Sequence, residues 1–185
     1  MRILGIDPGL ATLGYGIVDK TTKQKSFTCI DYGIISTPKD MAIGERLAHI
    51  QDQLRLLVRL YKPDGACVET LFFFRNQKTI IQIGQVHGVL SLTFHQEKVP
   101  LYRYAPLQIK NVLTGSGRAE KKQVEREVKK ILRIRKKLSP DDIADGLAVA
   151  LCHFLLPAVV TSRIEKQKAK RKAKNAKQSA AADKT

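Results

Sequence analysis

The chain has 185 residues, enough for one well-buried domain and too few for two of ordinary size. Lysine and arginine total 33 against 17 acids, and the net charge of +16 makes polyanions the natural partners. The three cysteines, Cys29, Cys67 and Cys152, are too far apart for zinc-type pairing and are expected to be reduced intracellular thiols; no basic-then-apolar segment opens the chain, which argues against secretion. Residues 162–185 hold nine Lys or Arg and two acids, a surplus of seven, which leaves nine of the sixteen charges in residues 1–161. A basic body as well as a basic tail points to nucleic acid.

Three runs of strand character come first, RILGID at 2–7, GYGIVDK at 14–20 and SFTCIDYGIIS at 26–36. Short turns link them, so an antiparallel meander is expected. From Met41 to Tyr61 apolar residues recur every three or four positions, which predicts an amphipathic helix ending before Pro63. GACVET at 65–70 reads as a strand, Asn76 to Gln96 as a helix and VPLYRY at 99–104 as a strand. Helices follow near 106–113, from about 119 to 132, and from Pro140 onward. Ile143 to Val160 is interrupted by Asp145, His153 and Pro157, a poor membrane span and a good core helix. Strands joined through helices after a meander imply an α/β domain over 1–161, with a five-stranded mixed sheet covered by helices on both faces. The tail at 162–185 lacks apolar periodicity and is expected to be disordered.

Four carboxylates stand in improbable places. Asp7 ends an apolar strand, and Glu69 ends the short buried run Ala66 to Val68. Reacting groups collect at the carboxyl edge of such sheets. Taken singly, Asp7 with Pro8 and Gly9 is also a turn sequence, and Glu69 is also a surface acid where the chain leaves the sheet. Ser139, as N-cap, with Pro140 in the first turn opens the last helix, where Asp141 and Asp142 complement the helix dipole. Asp145 has no such reason: it sits among Ala144, Leu147, Ala148 and Val149 on a nearly all-apolar helix. An ionised carboxylate there needs a cation or a salt bridge. If the last helix crosses the sheet near the ends of the first and fourth strands, Asp7, Glu69, Asp142 and Asp145 converge into a set of hard oxygen ligands that suits Mg²⁺ or Mn²⁺. Two such ions can activate water and stabilise the leaving oxygen of a phosphodiester. The histidines, His49, His87, His95 and His153, lack ligand spacing.

ILGIDPG and GYG at 3–16, PDGACVE at 63–69, FFFRN at 72–76, GQ and G at 84, 85 and 88, QIKNVLTGSGRAEKKQV at 108–124 and DDIADGLAVA at 141–150 together span about residues 1–155. On these segments the chain resembles the RuvC family of Holliday junction resolvases, with a ribonuclease H-like fold. The resemblance implies that Asp7, Glu69, Asp142 and Asp145 are the catalytic, metal-binding acids. It implies a homodimer that nicks two opposing strands of a four-way DNA junction symmetrically, in the bacterial cytoplasm, alongside the RuvA and RuvB branch-migration complex. Phe72 then contacts bases near the opened junction, where an apolar wedge holds them apart, though Phe73 and Phe74 beside it also suit a hydrophobic plug. Lys110 and Lys121 lie near the scissile phosphate, with Lys122, Arg75 and Arg118 as further candidates; lysines at a helix start oppose its dipole and gain from a phosphate instead.

Two positions depart from the family pattern: Leu13 stands where Thr is expected, and His87 where Arg is usual. If that Arg meets DNA, His87 weakens binding or makes it pH-sensitive. The alternative function is a catalytically silent junction-binding or nucleic-acid-binding module of the same fold, which the intact acids oppose. An ATP-using domain of the actin and sugar-kinase type needs a second domain. A related enzyme acting on RNA is distinguished by the FFFRN and GSGRAEKKQV segments.

Overall fold

The computed structural model describes residues 1–21, 26–70 and 77–157. Phe72, Phe73, Phe74, Arg75, Asn76 and the expected tail lie outside the described residues. Five strands, β1 (Arg2–Asp7), β2 (Thr12–Thr21), β3 (Ser26–Ser36), β4 (Gly65–Glu69) and β5 (Leu101–Tyr104), form one sheet in the order β3-β2-β1-β4-β5. The first three pair antiparallel; β4 lies parallel to β1 and β5 parallel to β4. This is the expected mixed sheet. The helices are α1 (Ile43–Tyr61), α2 (Gln77–Gln96), α3 (Pro106–Thr114), α4 (Lys121–Leu132) and α5, helical at 141–157.

Side chains alternate across a strand, so each strand divides its residues between two cores. Leu4 and Ile6 of β1, Leu13 and Ile17 of β2, and Ala66 and Val68 of β4 pack with Ile50, Leu54 and Val58 of α1 and Val86, Leu90 and Phe94 of α2. Leu13 is fully buried in this cluster. Asp31 ties the same side together by accepting hydrogen bonds from the Tyr15 hydroxyl at 3.1 Å and the Tyr61 hydroxyl at 2.7 Å. The opposite parity, Gly5 in β1 and Gly16 in β2, faces α5, where Leu147 and Ala150 are fully buried.

Glycine makes that second face possible. A methyl group on Gly5 would overlap the Gly146 carbonyl oxygen and the Ala150 nitrogen, and one on Gly14 would overlap the Asp142 carbonyl oxygen. The last helix therefore lies backbone against backbone on β1 and β2, with no room for side chains between.

Several predicted boundaries move, β2 running over 12–21 rather than 14–20 and β4 ending at Glu69 rather than Thr70, and three of the moves have a local cause. β5 starts at Leu101 rather than Val99, because Pro100 has no N–H to give a ladder; its carbonyl alone accepts from Ala66 at 2.8 Å. α1 starts at Ile43 rather than Met41, since Ala42 is extended (φ −61°, ψ 149°) and its N–H is taken by Glu45 Oε2 at 3.0 Å. α5 starts at residue 141, so Pro140 rather than Ser139 precedes the first helical residue; the Pro140 carbonyl accepts the Ile143 N–H at 3.2 Å, a donor otherwise left for a capping serine. The three cysteines are free, with Cys67 and Cys152 buried. No helix among the described residues is long and apolar enough to cross a membrane.

Candidate active site

Parity places the first two acids. Asp7 follows Ile3 and Gly5 on the face that α5 covers, and Glu69 follows Gly65 and Cys67. The parallel register sets Gly5 beside Cys67 and Ile6 beside Val68, so Asp7 and Glu69 leave the sheet as neighbours at its carboxyl edge. The close glycine contacts bring α5 to the same edge, with Asp142 over Gly14 and Asp145 one turn further along. Asp7, Glu69 and Asp145 line one cavity of about 340 Å³ together with Lys110 of α3 and Lys121 of α4.

The electrostatics of this cavity are those of acids short of positive charge. Burial first, then the charges of Asp145, Glu69 and Asp142, push the Asp7 carboxyl from the ordinary 3.8 up to about 7, while Lys121 pulls it back. Burial and the charge of Asp145 raise Glu69 from 4.5 to about 7, opposed by Lys121 and Lys110. Asp145 has found the cation its surroundings demand: Lys121 Nζ donates to its Oδ2 at 2.7 Å. That contact in turn raises the Lys121 pKa, ahead of the lowering effect of burial. α4 begins where the Gln123 side chain accepts the Glu120 N–H at 2.9 Å, and this start aims Lys121 across at α5.

Asp142 acts on Asp7 through its charge without lining the cavity. Among the described residues no three His, Cys, Asp or Glu side chains close to ion-holding distance. The donor set nonetheless has the chemistry of a divalent-cation site: carboxylate oxygens, with the Asp7 and Glu69 carboxyls raised to about 7 by burial and neighbouring acids and, among the described residues, the Lys110 and Lys121 ammonium groups to offset them. Lys122 lines an adjoining cavity with Lys121, Lys137, Asp141 and Asp145. Arg118 is exposed in the α3–α4 loop, where its backbone N–H bonds Ser116 Oγ at 3.3 Å, and it lines neither cavity. Phe72 and Arg75 lie outside the described residues.

Two features escape a linear reading. Lys121 reads in the sequence as a phosphate contact, yet in the fold its ammonium is first a partner of Asp145. Gly5, Gly14 and Gly146 govern how close α5 comes; a glycine in each of two adjacent strands, with one on the last helix, was the available signal. Of the histidines, His153 is packed between rings, 4.6 Å from the Tyr102 centroid, with Nδ1 2.7 Å from the Tyr104 hydroxyl. Burial, then Arg103, holds His87 below the ordinary 6.5, and its Nε2 is buried without a hydrogen-bond partner.

A model of the RuvC family, described as crossover junction endodeoxyribonuclease RuvC, matches residues 3–153. The chain belongs to the RuvC family. It is 49% identical over 153 residues to the crossover junction endodeoxyribonuclease RuvC of Petrotoga mobilis, covering 83% of this chain and 93% of that one. Among solved structures it is similar to Thermus thermophilus RuvC, with a TM-score of 0.79 at 30% identity over 87% of this chain and 98% of that one. It is also similar to T. thermophilus RuvC in complex with a Holliday junction substrate, with a TM-score of 0.77 at 26% identity over 86% and 96%. The sheet order and its flanking helices are thus those of a ribonuclease H-like resolvase.

Proposed function

We propose that this RuvC-family chain is a structure-selective endodeoxyribonuclease that resolves four-way DNA junctions by paired symmetric nicks. The observation that carries the reading is the single cavity in which Asp7, Glu69 and Asp145 meet Lys110 and Lys121 at the carboxyl edge of the sheet. Asp7, Glu69, Asp142 and Asp145 hold divalent cations, Mg²⁺ or Mn²⁺, in this reading. Two bound ions supply an activated water and charge stabilisation of the leaving oxygen in an in-line displacement.

The remaining work falls to the chain. With a cation facing Asp145, Lys121 would be free to meet the scissile phosphate, and Lys110, whose charge acts on Glu69 in the same cavity, would orient that phosphate. Lys122 and Arg118 bind the backbone further out, while Phe72 and Arg75 contact the opened junction. Paired nicks require two sites, and α2 offers a surface for a homodimer: Ile81 and Leu92 are exposed, and a methyl on Gly84 or Gly88 would meet open space. Exposed apolar side chains beside side-chain-free positions suit close packing of a second helix. The protein would act in the bacterial cytoplasm beside the RuvA and RuvB branch-migration complex.

The test is nicking of a synthetic four-way junction by the purified protein with Mg²⁺ or Mn²⁺, beside a linear duplex and an Asp7→Asn control. Paired symmetric nicks that vanish in the control support the reading. Tight binding without cuts on junctions of varied sequence supports the silent module instead.

A further inference from the structure

Away from the acids, one surface carries more positive charge than folding explains. Residues 129–137 hold Lys129, Lys130, Arg133, Arg135, Lys136 and Lys137, with no acid among them. Lys129 and Lys130 have a structural reason, since they stand in the last turn of α4, where cations complement the helix dipole. The other four lie past the helix end and are exposed. Among the described residues, only Lys130 of the six forms an ion pair, with Glu127 at 3.7 Å. Arg133 even holds the left-handed C-cap position (φ 56°), which glycine adopts without steric cost, yet the chain keeps an arginine there.

The run also has a shape beside it. Lys130, Arg133 and Lys136 form one wall of a groove of about 980 Å³ whose other wall is β3, the outermost strand of the sheet. The acid on that wall, Asp31, is taken up by the hydroxyls of Tyr15 and Tyr61. At the other end Lys137 lines the cavity that also contains Lys122 and Asp145. Lys121, Lys122 and Lys137 thus lie between the acidic site and the basic run, interleaved with Glu125 and Asp141.

We propose that residues 129–137, with the groove beside β3, form a docking surface for the sugar-phosphate backbone of a duplex DNA arm leaving the active site. This rests on the junction-cutting reading and adds a second contact region to it. The spacing fits: α4, with 12 residues, carries the chain about 18 Å from Lys121 at the acidic site to the basic run at its other end, roughly five base pairs of duplex at about 3.4 Å each. Exposed guanidinium and ammonium groups along a groove whose one lining acid, Asp31, is already engaged by two hydroxyls match a phosphate backbone.

The experiment uses the full chain and a four-way junction with long arms, with affinity measured as salt is raised from about 50 to 200 mM. Three proteins are compared: the wild type, R133Q/R135Q/K136Q/K137Q, and a charge-matched control, K39Q/R59Q/K62Q/K98Q, whose cations are also exposed. Thermal unfolding verifies that all three fold. The first variant is expected to bind at least about tenfold more weakly at the middle of the salt range, with the log–log salt slope reduced by up to about 3.6, since each of four phosphate contacts contributes about 0.9. Its hydroxyl-radical protection should be shorter along the arms by about five base pairs, with the control unchanged. Equal losses in both variants would reduce the effect to net charge and overturn the surface. A first variant that matches the wild type would also overturn it, and leave an acidic protein segment as the occupant to seek. A wild type that fails to bind the junction at all would sink the functional reading itself, which separates the two failures.

Discussion

Replacing Asp7 by Asn should abolish cutting and at the same time make the metal-free protein more stable. The Asp7 carboxyl is raised from 3.8 to about 7 in the folded chain, chiefly by burial and then by neighbouring acids. A folded-state pKa above the unfolded value means that the folded protein binds this proton more tightly. Stability linked to it is therefore fully present below about pH 4 and is lost as pH rises through about 7. At about 1.4 kcal/mol per pH unit, the ionised carboxylate costs up to roughly 4 kcal/mol above neutral pH. Asparagine has nearly the same shape and cannot ionise. At about 2 to 4 °C per kcal/mol for a chain of this size, the Asp7→Asn protein should melt up to about 8 to 16 °C above the wild type at pH 8 in chelator. The gap should narrow steadily from pH 7 downward and close near pH 4. Thermal unfolding across that range is the assay. A variant that melts at or below the wild type at pH 8, or a gap independent of pH, would refute the electrostatic account of the site.

Lys121→Met removes the ammonium from Asp145 and leaves that acid without its 2.7 Å partner. Because Lys121 is largely exposed, the loss should be only about 1 kcal/mol in chelator; calorimetry should show Mn²⁺ binding more tightly than in the wild type, since no ammonium has to be displaced, and weaker binding would contradict this. Gly5→Ala forces a methyl into the Gly146 and Ala150 backbone. Something must shift, at a cost of roughly 1 to 3 kcal/mol, and chemical denaturation should show it together with reduced nicking as α5 moves outward. Ile81→Asp, on the exposed face of α2, should convert the proposed dimer to monomer in light scattering while leaving the melting temperature of the monomer fold nearly unchanged.

Much of the fold was legible because its signals are local. β1 and β3 run over the residues that the pattern predicts, 2–7 and 26–36, since alternation inside a meander is fixed by neighbours a few residues away. Boundaries moved where one backbone group decided them, as at Pro100, Ala42 and Pro140. Asp7, Glu69 and Asp145 were legible because an acid at the end of a buried strand or on an apolar helix face is costly and so demands a reason. What joins them was not. The Lys121–Asp145 pair links α4 to α5, and the overlap of Gly5 with Gly146 depends on which face of the sheet the last helix covers; both are facts of register and packing that no window of sequence contains. The Asp31 bridge between Tyr15 and Tyr61 was missed for the same reason.

The acids come from distant parts of the chain, Asp7 on the first strand and Asp145 on the last described helix, brought together by the close seating of α5 on β1 and β2. The order of synthesis therefore matters. A growing chain holds Asp7 and Glu69 long before Asp145 has been made, and until α5 docks there is no cavity in which an ion or a phosphate could be held. If these acids carry the proposed cutting, the activity is switched on only when α5 docks, and any opening of α5 switches it off again.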